Sequence, residues 1–205
     1  MFYRVVDKNT SHFESVSSFF QTVIEPIYGN QTSALEKIGE GHDRLCEGMF
    51  SEDRQQLLGI IVYKKSLQGE EKTHLEVKTF ALINADQQSR RGYGTALFNH
   101  LLLIAEYRNA LAILLTVSEA KGDALTFFTK KGFTIIQTKP EGNCLGLVEH
   151  SLVYNMPPQQ KIEKRIGSFS HAALFSTYLN VDINSSLQDK VEKSSEIPSE
   201  VKLHI

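Results

Sequence analysis

Two hydrophobic rhythms alternate along this chain, and their order outlines a sheet with helices laid on it. Ser11–Ile27 carries Phe13, Val16, Phe20 and Ile24 at helical spacing, and Gly94–Arg108 carries a stripe through Leu97, Leu101, Ile104 and Ala105. Thr32–Ile38 reads as a short helix, and Gly122–Lys131 as a helix stopping at Gly132, the residue type most common just past a helix end. Between these lie short runs rich in β-branched and aromatic residues. Phe2–Val6, Arg44–Phe50, Leu57–Lys64, His74–Asn84, Leu111–Val117, Phe133–Thr138 and Leu145–Asn155 are the predicted strands. The order is β-α-α-β-β-β-α-β-α-β-β, which places the fold in the α/β (α+β) class, a sheet with helices packed on it.

The pattern changes near Pro157-Pro158, which sets the expected domain at 1–156 and an extension at 157–205. Ile162, Ile166, Phe169, Ala173 and Leu174 are spaced as in a short amphipathic helix, and the serine-rich stretch from Val181 reads as a solvated tail. The chain's 205 residues suit one domain with an appendage. With 22 Lys+Arg against 24 Asp+Glu and a net charge of -2, it lacks the basic excess expected of an electrostatic nucleic-acid binder. Leu101–Val117, the longest candidate membrane stretch, is broken by Glu106, Arg108 and Asn109 and falls short of the roughly 20 apolar residues a span needs. No secretory signal core opens the sequence, so a cytoplasmic setting is expected, with Cys46 and Cys144 as free thiols. No His or Cys pair has metal-ligand spacing.

The segment richest in chemistry is Ser89-Arg90-Arg91-Gly92-Tyr93-Gly94-Thr95, between a predicted strand and a predicted helix. Two glycines one residue apart let the backbone turn tightly and approach a ligand closely. A helix start presents unpaired N–H groups and the positive end of the dipole, and Arg90 and Arg91 add charge at its edge. Together they suit a pyrophosphate. An ordinary glycine-rich helix cap is the plain alternative. The segment is neither a Walker loop, which needs Gly-Lys-Ser/Thr, nor the dinucleotide fingerprint, which would need glycine where Leu97 stands.

With its surroundings, this segment resembles the GNAT superfamily of acetyl-CoA-dependent N-acetyltransferases, whose pyrophosphate loop reads Q/R-x-x-G-x-G/A. The run RRGYGTALFNHLLLIAE is most similar to the histone-acetyltransferase branch, as is the downstream ALTFFTKKGFTII with its F-x-x-x-G-F ending. Ser89 stands where the family usually has Gln or Arg. The resemblance is dense over residues 74–136. It implies a mixed, mostly antiparallel sheet whose central strands, His74–Asn84 and Leu111–Val117, splay into a wedge. It implies that Ser89, Arg90, Arg91, Gly92, Tyr93, Gly94 and Thr95 hold the pyrophosphate of acetyl-CoA. The strand end at Leu82 and Ile83 would pair with the pantetheine arm, and the helix bearing Phe128 would flank the thiol end.

Acetyl transfer needs the acceptor amine as free base. An amine of pKa about 10.4 lies 3.4 units above neutrality, a cost of about 4.6 kcal/mol. The resemblance implies a strand glutamate as base, and Glu76 is the nearest match if the following loop is two residues longer than in the histone branch. Without that insertion Lys78 takes the place. Glu76 as a plain surface residue, and His74 as its neighbour on the same strand face, are the alternatives. Many small-molecule enzymes of the superfamily carry a tyrosine where this chain has Phe128. His100 reads as a structural residue, and Lys130 and Lys131 as a solvated helix end. The leading expectation is an N-acetyltransferase acting on a primary amine, on a protein lysine or a small molecule. The alternatives are an acyl-CoA-binding module without turnover and an interaction protein acting through residues 159–180.

Overall fold

The computed structural model describes residues 1–40, 43–83, 91–142 and 146–157. Asn84, Ser89, Arg90, Cys144 and, apart from Pro157, the expected extension 157–205 lie outside them. The described chain forms a seven-stranded sheet in the order β1-β2-β3-β4-β5-β7-β6. The strands are β1 (Phe2–Val6), β2 (Arg44–Phe50), β3 (Leu57–Lys64), β4 (His74–Leu82), β5 (Ala112–Ser118), β6 (Thr134–Lys139) and β7 (Glu149–Asn155). All neighbours run antiparallel except β4 and β5, which are parallel. The continuous apolar run of β3 is explained by its place. It has strands on both sides and helices over both faces, and every residue from Leu57 to Tyr63 is buried.

One face is covered by α4 (Tyr93–Tyr107) and α5 (Gly122–Lys130). Leu97, Leu101, Ile104 and Ala105 of α4 pack there against Met49, Ile61, Leu75, Val77 and Leu115. The other face, over β1 to β3, is covered by the N-terminal helices, with Val16, Phe19, Phe20 and Ile38 against Cys46, Phe50, Ile60 and Val62. The expected helix Ser11–Ile27 is three pieces. These are α1 (Phe13–Phe19), a π-helical turn (Phe20–Ile24) and α2 (Glu25–Tyr28), which has a proline in its first turn; α3 (Thr32–Gly39) follows. Phe19, Phe20 and Ile24 are all buried through the π turn. The last strand is shorter than expected. β7 starts at Glu149, because residues 146–148 lie outside the ladder.

His100 is structural. Its Nε2 lies 2.6 Å from Glu47 Oε2, and both residues are about 5% exposed (5% and 6%). The other carboxylate oxygen accepts a 2.5 Å bond from the Tyr63 hydroxyl, and Tyr3 stacks on the imidazole at 3.7 Å between centroids. Burial first, and then the neighbouring Glu47 carboxylate, raise the Tyr63 hydroxyl well above its ordinary range, and burial pushes Tyr3 up to about 12. A carboxylate this deep is tolerated only with both oxygens satisfied. Glu47→Ala strands His100 and Tyr63 and is expected to cost about 3 kcal/mol of unfolding free energy. Urea denaturation is the measurement, and a loss under about 1 kcal/mol would mean the pair contributes little.

Candidate functional site

β4 and β5 stay paired for three residues only. His74 faces Ala112, Leu75 faces Ile113 and Glu76 faces Leu114; beyond these the ladder stops although β4 runs on to Leu82 and β5 to Ser118. The strands therefore splay from Glu76 onward, and the β5-facing edge of β4 carries no ladder from Val77 to Leu82. A bulge contributes. Val62 pairs with Thr79 but Tyr63 pairs with Val77, so Lys78 is an extra residue on β4. Leu75 and Val77 face α4, and past the bulge Phe80 and Leu82 take over that face.

The glycine segment opens α4 at the mouth of this wedge. Gly92 is the N-cap with φ 76°, a left-handed conformation that L side chains disfavour, and the first intrahelical bond runs from Ala96 N to Gly92 O at 2.9 Å. Among the described residues no side chain caps this end, so the N–H groups of Tyr93, Gly94 and Thr95 are available to a ligand or water. A Cβ on Gly92 would meet nothing within 4 Å, so there is room above the helix start. Gly94 is different. A Cβ there would stand 3.3 Å from Phe127 and 3.7 Å from Leu82, so the glycine lets α4 close on the wedge. Arg91 is exposed beside the cradle.

Other expected residues fall around the wedge. Leu82 ends β4 under Gly94, and Ile83 donates its N–H to Leu58 O at 2.9 Å and lines a shallow cleft beside Ser15 and Ser18. Phe128 is buried in an aromatic cluster, 5.2 Å between centroids from Phe80, Phe127 and Phe133. Glu76 stands at the fork on the face opposite α4. Its Oε1 lies 2.5 Å from Lys78 Nζ and its Oε2 3.1 Å from Lys64 Nζ. Partial burial alone would raise this carboxyl; the hydrogen bonds and charges of Lys78 and Lys64 outweigh it and hold it below the ordinary carboxylate range. His74 packs its ring against Gly69 instead.

Sequence reasoning missed four residues here. Ser118 pairs with Glu149 at the end of β5, and Tyr28 reaches the Ser118 backbone from the end of α2. Burial raises both the Tyr28 hydroxyl and the Glu149 carboxyl, the latter against the pull of Lys139. Thr116 and Ser151 pair beside them, so Glu76, Thr116, Ser151 and Glu149 share one sheet face, on which Thr116 is exposed. No local pattern marks this grouping, because it joins β4, β5, β7 and α2. The fourth is Lys131, which follows α5 and reaches the other helix at the surface; its Nζ lies 3.1 Å from Thr95 Oγ1 in the first turn of α4.

No protein-family model matches the sequence, and neither does any curated protein. Solved structures match in fold. Ard1 from Thermoplasma volcanium superposes with a TM-score of 0.58 at 20% identity, covering 77% of this chain and 99% of its own. An aminoglycoside 6'-N-acetyltransferase complexed with coenzyme A gives 0.61 at 18% identity, covering 78% of this chain and 99% of its own. NAA60 of Arabidopsis thaliana in complex with acetyl-CoA gives 0.59 at 12% identity, covering 75% of this chain and 97% of its own. The chain has the GNAT fold. At these identities the likeness is one of architecture, and it agrees with the splayed β4–β5 pair and the glycine-opened helix that define the GNAT core here.

Two outcomes follow from this geometry. Gly92→Ala meets no clash but must hold a left-handed backbone, at an expected cost of about 1 kcal/mol, with Gly92→Asn costing less. Equal stability of all three proteins in urea would contradict the left-handed cap. Glu76 has a folded pKa below its unfolded value. Its stabilising contribution is therefore complete above the unfolded value of about 4.3 and is lost as pH falls through the folded one. Glu76→Gln should remove that part of the acid-induced loss of stability; an unchanged acid limb would show that the lysines do not hold the carboxylate.

Proposed function

We propose that this chain is an N-acetyltransferase that moves an acetyl group from acetyl-CoA to a primary amine. The observation that carries this reading is the juxtaposition of a strand fork with an uncapped, glycine-opened helix start. The first offers a backbone edge to an extended amide-bearing arm; the second offers N–H groups to a pyrophosphate. Solved proteins of this fold that hold coenzyme A or acetyl-CoA support it.

The residues fit such a cosubstrate. The N–H groups of Tyr93, Gly94 and Thr95 would hold the pyrophosphate, with Arg91 beside them and Ser89 and Arg90 earlier in the same loop. Gly92 keeps the space above the helix open. The free edge of β4 toward Leu82 and Ile83 would orient the pantetheine amides, and Phe128 would back the thiol end through its aromatic neighbours. Acetyl-CoA supplies an activated carbonyl with a thiolate as leaving group. The acceptor amine forms the new C–N bond as the C–S bond breaks, and the thiolate leaves with a proton from water. The ammonium proton goes to Glu76 at the fork, directly or through water. Glu76, like an ordinary carboxylate, is ionised at neutral pH, the more so beside Lys78 and Lys64, and it can therefore accept. A carboxylate of low pKa is a weak base, so acceptor amines of lower pKa should react faster. The face with Glu76 and Glu149 suits a cationic amine, on a protein or a small molecule.

Isothermal calorimetry with acetyl-CoA, and thiol release on a panel of amines and lysine peptides, test this. Glu76→Gln is expected to bind acetyl-CoA normally and lose about 10²-fold or more in turnover, with a deficit that shrinks as pH rises. Binding without turnover on any amine would make the chain an acyl-CoA-binding module. Normal turnover in Glu76→Gln would remove Glu76 from the mechanism.

A further inference from the structure

We propose that Lys131 is a pyrophosphate-binding residue of the acetyl-CoA site, delivered to the helix start of α4 by the end of α5; this rests on the reading of the site as an acetyl-CoA cradle. Four observations support it. The Lys131 backbone is fixed, since its N–H donates to Phe127 O at 3.1 Å and Phe128 O at 3.0 Å as the cap of α5. Its side chain folds back across the gap between the two helices and sets Nζ 3.1 Å from Thr95 Oγ1, within the turn whose N–H groups have no helical partners. The ammonium lies 5.5 Å from the centroid of Phe98 and 5.6 Å from that of Phe127, so two rings steer it there. Among the described residues no carboxylate pairs with it, in contrast to Lys64 and Lys78 at the fork.

A hydroxyl and two ring faces do not neutralise an ammonium. Held at the positive end of α4, the charge also opposes the helix dipole, an arrangement that costs stability unless an anion arrives. A pyrophosphate on the Tyr93–Thr95 N–H groups would lie beside Nζ and remove both penalties. Arg91, exposed just before the same helix start, would then add a second positive charge near the anion. The neighbour Lys130 is exposed, which makes it the internal control.

The experiment is calorimetric titration of the full chain with CoA and with dephospho-CoA, which lacks the 3′-phosphate but keeps the pyrophosphate, at low and high salt. Lys131→Met should weaken both ligands by about tenfold, Lys131→Arg by less than about threefold, and Lys130→Met not at all. The difference between Lys131→Met and the parent should narrow at 0.5 M salt, which a packing defect would not do. Unfolding midpoints of the variants report on packing separately. A parent that binds CoA with Lys131→Met binding equally well overturns the proposal and leaves the acetyl-CoA reading standing. A loss confined to CoA and absent with dephospho-CoA overturns the pyrophosphate assignment, since the charge then faces the 3′-phosphate. A parent that binds neither ligand overturns the reading of the site itself, and the proposal with it.

Discussion

Two parallel strands that separate after three paired residues are the constraint on which the rest of the molecule depends. A sheet that opens in its middle exposes backbone donors and acceptors that must be met by something. Here the opening is flanked by α4 and α5, which meet over it through Gly94, Phe127 and Leu82. The helices cover the fork on one side, and the edge of β4 carries no ladder beyond Glu76. The glycine at 94 is a packing requirement of that closure, whereas the glycine at 92 answers a backbone angle. The paired glycines thus solve two different problems one residue apart.

The brace formed by Glu47, His100, Tyr63 and Tyr3 belongs to the same arrangement. It joins β1, β2 and β3 to the middle of α4 through hydrogen bonds in a nearly dry interior. Hydrophobic packing alone lets a helix slide by small amounts on a sheet, but a carboxylate with two fixed donors has one position. The start of α4 is two turns from His100 on the same rigid rod. The position of the cradle is therefore set partly by residues that never come near it.

Much of this was legible in the sequence. The strand and helix order over 1–156 was, because amphipathic stripes and β-branched runs are strong local signals. The segment from Arg91 to Thr95 was, because its glycines stand where a strand gives way to a helix. What local patterns could not carry was pairing at a distance. The two lysines on Glu76 come from β3 and from beyond the fork on β4. The Tyr28, Ser118 and Glu149 grouping spans more than a hundred positions of chain. Lys131 sits in a run of two lysines whose composition says only solvent, and its reach to Thr95 exists because α5 ends against the start of α4. The π turn was hidden because Val16, Phe20 and Ile24 keep the four-residue spacing that an unbroken α-helix shows equally.

The bulge at Lys78 has a consequence for anyone comparing this strand with another. Position in the chain and position in space fall out of step by one there, because Val77 and Thr79 face consecutive residues of β3. A gapless residue-by-residue match to a strand without the extra residue assigns the wrong sheet face to every position on one side of it. Homology at this point is a matter of which way a side chain looks, and counting letters does not measure that.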